Sequence, residues 1–238
     1  MNKLHKLARC IVNPFWRVPL VRGVAAAVEH DLFFSKFSFN TVIDIGANVG
    51  QFSLVMKKNF PHATIYAFEP LKTPFQKLSD IFATDVNVKI FNSAIGPETK
   101  ETLINVSSRN DSSSLLPISK LQNDIFPGTL SIGQEKIMMA PLSNHLTEND
   151  FQNSVLLKLD VQGFELEALK GCENFLNLVT MVYCECSFVE LYAGQALAHE
   201  VIEYLSRHEF VLKALINVQH DQAGQVVQAD FAFSKLKR

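Results

Sequence analysis

The most constraining feature of this chain is the short stretch Thr41-Val42-Ile43-Asp44-Ile45, which breaks at Gly46-Ala47-Asn48-Val49-Gly50 and runs into a segment of helical period. In that segment, residues 51–60, Phe52, Val55 and Met56 share one face. A β-rich run that turns through glycines into a helix is the opening unit of an open α/β sheet, and such sheets bind ligands outside the carboxyl ends of their strands. Gly46 and Gly50 let the backbone turn tightly and approach a ligand closely, although glycine also serves such turns for purely structural reasons. Asp44, at the strand end, can accept hydrogen bonds or attract a cation.

The alternation continues along the chain. Strands are expected at 64–68, ending at Glu69-Pro70 because proline cannot continue a ladder, and at 86–91, with a helix over 73–83 between them. A further strand is expected at 102–106, then a long polar loop over 107–135, of the length that suits a lid. An apolar strand at 155–159 runs into Asp160-Val161-Gln162-Gly163 and a helix over 164–176, followed by a strand at 179–184 and a helix at 197–207. Runs at 210–216 and 226–233, separated by a polar turn, predict an antiparallel hairpin at one sheet edge. Residues 1–40 read as a helical extension, and residues 41–238 as the α/β domain. The extension could pack on the domain, cap a cleft, contact another subunit or touch a membrane surface.

A formal charge of -2 with scattered charges argues against a nucleic-acid partner. Cys10, Cys172, Cys184 and Cys186 match neither a disulfide framework nor a zinc site, and Cys184 and Cys186 would share one strand face as small apolar residues. Residues 1–12 break off at Asn13-Pro14 without the apolar run of a signal peptide, and no stretch is long enough to span a bilayer. A cytoplasmic location is therefore expected, with the N-x-S triplets at Asn105 and Asn110 unglycosylated.

A dinucleotide fingerprint carries three glycines that lay a pyrophosphate on a helix N-terminus; here Asn48 holds the middle position and an acid precedes the turn. An ammonium or sulfonium suits that acid better than pyrophosphate does. Glu69, at the next strand end, lies at the spacing from which an acid holds ribose hydroxyls in either nucleotide class.

Taken in order, Val42-Ile43-Asp44-Ile45-Gly46-Ala47-Asn48-Val49-Gly50, Phe68-Glu69-Pro70, Asn92-Ser93-Ala94-Ile95-Gly96, Ser112-Ser113-Ser114-Leu115, Leu157-Lys158-Leu159-Asp160-Val161-Gln162-Gly163-Phe164-Glu165, Leu169-Lys170-Gly171, Cys184-Glu185-Cys186-Ser187 and Gln228-Ala229-Asp230-Phe231-Ala232-Phe233 resemble the FkbM family of methyltransferases. The resemblance covers residues 41–234. It implies a Rossmann-like class I methyltransferase fold, S-adenosylmethionine as donor, and oxygen methylation of sugars, polysaccharides or other natural products. By that likeness Asp44, Gly46, Ala47, Asn48 and Gly50 line the methionine end of the cofactor, Glu69 beside Pro70 binds the ribose, and Ser93 and Ala94 border the adenine. The family's acidic element before the fourth strand appears here as Met139-Ala140-Pro141-Leu142-Ser143, without its acid.

Methyl transfer is a direct displacement, so positioning supplies much of the rate, and a base or metal that takes the acceptor proton adds to it. Asp160 is a candidate for orienting the cofactor or accepting that proton, with helix capping as its structural alternative. Glu185 is a candidate for binding acceptor hydroxyls or acting as base, and Lys158 for pairing with either carboxylate. Asp160 and Glu185 could hold a divalent cation, but no third ligand is evident, so metal dependence stays open. Glu165 suits the positive end of its helix. The seven histidines form no ligand pattern, and His145 alone is expected near the acceptor entrance, while Ser112, Ser113 and Ser114 either cap a loop or donate over the ligands. A nicotinamide-dependent oxidoreductase and a non-catalytic cofactor-binding partner are the alternatives. Acceptor identity and oligomeric state are not written in any motif.

Overall fold

The computed structural model describes residues 3–236, except the side chains of Lys3 and Asn110; Met1 and Asn2, at the start of the extension, and the Asn110 side chain of the second N-x-S triplet thus lie outside the described structure. The extension forms α1 (Lys3–Val12), α2 (Pro14–Val21) and a short α3 (Asp31–Phe34). Asn13 caps α2 by accepting from the Phe15 amide at 3.0 Å, and Pro14 follows where a missing N–H costs nothing.

The domain then runs through β1 (Thr41–Ile45), α4 (Gln51–Asn59), β2 (Thr64–Phe68), α5 (Lys72–Phe82), β3 (Val88–Phe91), β4 (Ala94–Ile95), β5 (Lys100–Ser107), α6 (Lys120–Ile125), β6 (Ser131–Ala140), β7 (Val155–Leu159), α7 (Glu165–Gly171), β8 (Met181–Ser187), α8 (Ala198–Arg207), β9 (Phe210–His220) and β10 (Val226–Lys235). The main sheet has the order β3-β2-β1-β7-β8-β10-β9; β3 through β8 are parallel, and β10 pairs antiparallel with both β8 and β9. This is the mostly parallel sheet with an antiparallel edge hairpin that the sequence predicts.

Two regions depart from that reading. The polar stretch 107–135 contains α6 and the first half of β6, which forms a separate sheet of order β4-β6-β5. Residues 131–134 of β6 are exposed and only Ile137, Met139 and Ala140 are buried, so its alternation is masked at the polar end and pairing with β5 decides the strand. The helix after β7 stops at Gly171, where an added Cβ would lie 2.5 Å from the Gly96 carbonyl oxygen; the turn after β4 crosses there, and the chain continues as a short 3₁₀ turn, Glu173–Phe175.

Strand alternation sorts the interior. Ile43, Ile45, Leu157, Leu159, Cys184 and Cys186 face a core shared with α7 and α8. Val42, Leu156 and Tyr183 face a second core with α4 that also contains Cys10, Trp16, Val24, Phe34 and Phe39 of the extension. The extension is therefore packed over one sheet face. Asp44, Lys158, Glu185 and Asp230 carry the same parity as Val42, Leu156, Tyr183 and Ala232, so all four fall on that face, toward the carboxyl ends of the parallel strands.

Candidate functional site

The turn after β1 is fastened to β2: the Gly46 and Ala47 amides both donate to the Phe68 carbonyl at 3.0 Å. Gly46 sits at φ +76°, and a Cβ there would lie 1.9 Å from the Asp160 carbonyl oxygen. Its glycine is thus required by the crossing of two strand ends as well as by backbone conformation. Asn48 takes φ +49°, and its amide donates to Glu69 Oε2 at 2.9 Å, while Glu69 Oε1 accepts from the Leu71 amide at 2.9 Å. Asn92 Nδ2 donates to the carbonyls of Glu69 and Pro70, tying the ends of β2 and β3 together. Burial pushes the Glu69 carboxyl up to about 7 despite its two amide donors.

Asp44 and Lys158 are register partners on β1 and β7, both buried, with Lys158 Nζ 2.9 Å from Asp44 Oδ1. Ser53 Oγ donates to Asp44 Oδ2 at 2.7 Å, and Lys158 donates to the Gly46 carbonyl at 2.9 Å. Burial alone would lower the lysine, but Asp44 and Asp160 outweigh it and hold Lys158 above the ordinary lysine range. Asp160 lies 3.9 Å from Lys158. Gln162, in a left-handed conformation at φ +55°, donates through Nε2 to Asp160 at 2.7 Å and to Glu185 at 2.9 Å, and accepts from the Tyr192 hydroxyl at 2.6 Å. Gln228 Nε2 donates to the other Glu185 oxygen at 2.6 Å. Burial, then Asp160 and Asp230, push the Glu185 carboxyl well above the carboxylate range.

These strand ends open into a cavity of about 240 Å³. Of the candidate site residues, Gly46, Ala47, Asn48, Glu69, Pro70, Ser93, Ala94, Lys158 and Asp160 line it. Asp44, Gly50 and Glu185 do not. Asp44 lies beneath the turn against Lys158, Gly50 packs toward Leu78 and Phe82, and Glu185 is covered by Gln162 and Gln228. Ser113, Ser114 and Leu115 line the cavity from the stretch read as a loop, which is pinned down by Ser114 Oγ donating to the Gln162 carbonyl at 2.6 Å. Asn105, of the first N-x-S triplet, holds the same segment by donating to the Ser114 and Leu116 carbonyls. Glu165 is buried and accepts from the Val161 and Gly163 amides, so it braces the turn after β7; burial raises it to about 7. His145, expected near an entrance, instead packs edge-on against Phe68 and Phe91, where burial lowers its pKa.

One wall shares only Asp230 with the sequence motifs. His30 of the extension, Tyr183 of β8 and Asp230 of β10 all line the cavity. His30 Nδ1 is 2.9 Å from the Tyr183 hydroxyl and 3.7 Å from Asp230 Oδ2; Tyr183 is also hydrogen-bonded to Asp230, and Asn217 Nδ2 donates to Asp230 at 2.7 Å. Burial raises the Tyr183 phenol far above its usual range, so it stays protonated and donates. His30 Nδ1 faces both the Tyr183 hydroxyl and, at 3.3 Å, Asn217 Nδ2; in the tautomer that carries its hydrogen on Nδ1, the lone pair is on Nε2. The only sequence signal was the Gln228–Phe233 motif; nothing there linked Asp230 to residue 30.

A cation between Asp160 and Glu185 does not fit these residues, because the Gln162 amide nitrogen donates to both carboxylates. Among the described residues no group of three or more acids, histidines or cysteines is placed to hold a metal.

A family model described as the methyltransferase FkbM domain matches residues 44–212. The methyltransferase sdnD of Sordaria araneosa is 30% identical over 177 residues, covering 60% of this chain and 65% of that protein, so this chain spans less than two thirds of its length. The hexuronic acid methyltransferase AglP of Haloferax volcanii is 28% identical over 188 residues, covering 77% and 68%. The 2-O-methyltransferase NoeI of Sinorhizobium fredii is 25% identical over 194 residues, covering 76% of each chain. With a Rossmann-like class I methyltransferase fold and a family match that runs from Asp44 through most of the sheet, this chain belongs to the FkbM methyltransferase family.

Proposed function

We propose that this protein methylates a hydroxyl oxygen of a sugar or related natural product, with S-adenosylmethionine as donor. The observation that carries the reading is the composition of one cavity: the glycine turn and Glu69 on one side, the His30–Tyr183–Asp230 relay on the other. The lining holds Glu29, Glu69, Asp111, Asp160 and Asp230 against only Lys6 and Lys158, an environment that favours a cationic sulfonium and ammonium over an anionic pyrophosphate. Asn48 Oδ1 is buried without a partner and is an acceptor available to an ammonium donor. Glu69 has acceptor capacity left for a ribose diol. These features fit the cofactor.

When bound, S-adenosylmethionine supplies an electrophilic methyl carbon whose sulfur leaves as a neutral thioether as the acceptor oxygen takes the carbon. In this reading Asn48 and Glu69 hold the cofactor, Ser93 and Ala94 border its base, and Asp160 orients it. Lys158 neutralises Asp44 and keeps the turn in place. His30 Nε2 takes the acceptor proton, and Asp230, through Tyr183, stabilises the resulting imidazolium. Glu185 acts through Gln162 by positioning Asp160. The names of two relatives, a hexuronic acid methyltransferase and a 2-O-methyltransferase, support a sugar as acceptor and oxygen as the methylated atom.

Calorimetric titration with S-adenosylmethionine and with NAD, followed by incubation of the labelled donor with hexuronic acid glycans, tests the reading. Saturable binding of the first alone, with label passing to a glycan hydroxyl, is expected. Failure of well-folded protein to bind S-adenosylmethionine would overturn it, and binding without transfer to any hydroxyl would point to a non-catalytic partner protein.

A further inference from the structure

A surface helix ordinarily turns its apolar stripe inward and its charges outward. In α1 the arrangement is reversed. Lys6 and Arg9 point inward, Lys6 Nζ to Glu29 at 3.0 Å and Arg9 to Asp31 and the Val28 carbonyl at 2.8 Å, beside the buried Cys10. Leu4, Leu7 and Ile11, spaced on one helical face, are exposed instead, with Leu4 at 78%. In α2, Trp16 and Pro19 are buried while Phe15, Val18 and Val21 are exposed, Val21 at 89%. The two stripes follow one another across Asn13-Pro14.

The charge of this segment selects its occupant. The first 28 residues carry Lys3, Lys6, Arg9, Arg17 and Arg22 and no Asp or Glu. Among the described residues Arg17 donates only to the Ile11 and Val12 carbonyls, and Arg22 to the Asp80 carbonyl, so neither meets a carboxylate there and both keep their charge next to the apolar stripes. A second copy docked by the same face would bring these cations together without compensation. No helix among the described residues is long and apolar enough to cross a membrane. Apolar stripes flanked by uncompensated arginines match the surface of a bilayer with anionic headgroups.

We propose that the outer faces of α1 and α2 dock on an anionic phospholipid membrane surface. The proposal stands apart from the methyltransferase reading, but the two meet in one segment: Lys6, Ala27, Glu29 and His30 of the extension line the cavity, so docking places the acceptor wall next to the lipid surface.

The test is flotation of the full chain with vesicles of phosphatidylcholine alone and of phosphatidylcholine mixed with phosphatidylglycerol, at low and high salt. Binding to the anionic vesicles at least tenfold stronger than to the neutral ones, and weakened by salt, is expected. Leu4→Glu and Val18→Glu, both at exposed positions, should each reduce it at least tenfold with an unchanged melting temperature. Equal, weak flotation with both compositions overturns the proposal, as does binding indifferent to the substitutions. A dimer in sedimentation that these substitutions dissociate would assign the face to a second copy instead.

Discussion

Lys158 and Asp44 face each other across β7 and β1 with 2.9 Å between ammonium and carboxylate, and neither reaches solvent to any useful extent. Removing one partner leaves the other as an uncompensated buried charge. Lys158→Met should destabilise the protein by about 3–5 kcal/mol. Pairing it with Asp44→Val should recover at least half of that loss, since apolar replacement of a whole buried pair is often tolerated. Urea unfolding of the two singles and the double measures the coupling; additive losses would show that the pair does not interact.

Gly46 carries two demands at once, a φ of +76° and the approach of the Asp160 carbonyl. Gly46→Ala should cost about 3 kcal/mol or more, from left-handed strain plus a backbone clash no rotamer relieves. Its effect on ligand binding then reports displaced strand ends, so binding roles are better tested at Glu69. Thermal unfolding checks the prediction, and a loss below about 1 kcal/mol would contradict it.

Glu69 is raised to about 7 by burial. Its folded value lies above its unfolded one, so the folded state holds the proton more tightly. Its contribution to stability is therefore fully present below about pH 4 and lost as pH rises through about 7, on the order of 3 kcal/mol. Glu165 acts in the same window, so the comparison that isolates Glu69 is wild type against Glu69→Gln across pH 4 to 8. Under the proposed function, hydroxyl donors favour the ionised carboxylate, and S-adenosylmethionine affinity should rise through about pH 7 in the wild type but stay flat in the variant.

His30→Gln should lower kcat by about 10²–10⁴-fold while leaving S-adenosylmethionine affinity within about twofold. A smaller fall is expected for Asp230→Asn, with a shift of the acidic limb of the kcat profile, because Asp230 acts through Tyr183 and the imidazole. Loss of cofactor binding in parallel with rate would instead make His30 a structural residue.

Much of the sheet was legible because its strands are short, apolar and bounded by Gly, Pro or Asp, as at Thr41–Ile45 and Val155–Leu159. The β6 strand was not, since its outer half is polar and its partner β5 precedes it by a long connection. The glycine turn and Glu69 were singled out from local pattern and Ser93-Ala94 from the family resemblance, and all of them line the cavity, whereas Glu185 lies beneath Gln162 and Gln228, a cover that no local pattern shows.

By itself the sequence determined the alternation of strand and helix, the family resemblance and the residues at the ends of β1, β2 and β7, because these are local: period, turn chemistry and motif order lie within a few residues of one another. Only the tertiary structure decided which charges meet. Parallel register set Asp44 against Lys158, antiparallel register carried Asp230 to the level of Glu185, and folding of the extension over that sheet face brought His30 to Tyr183 across 153 positions. No local rule encodes such contacts, since they depend on how separate elements stack and on which face each strand presents.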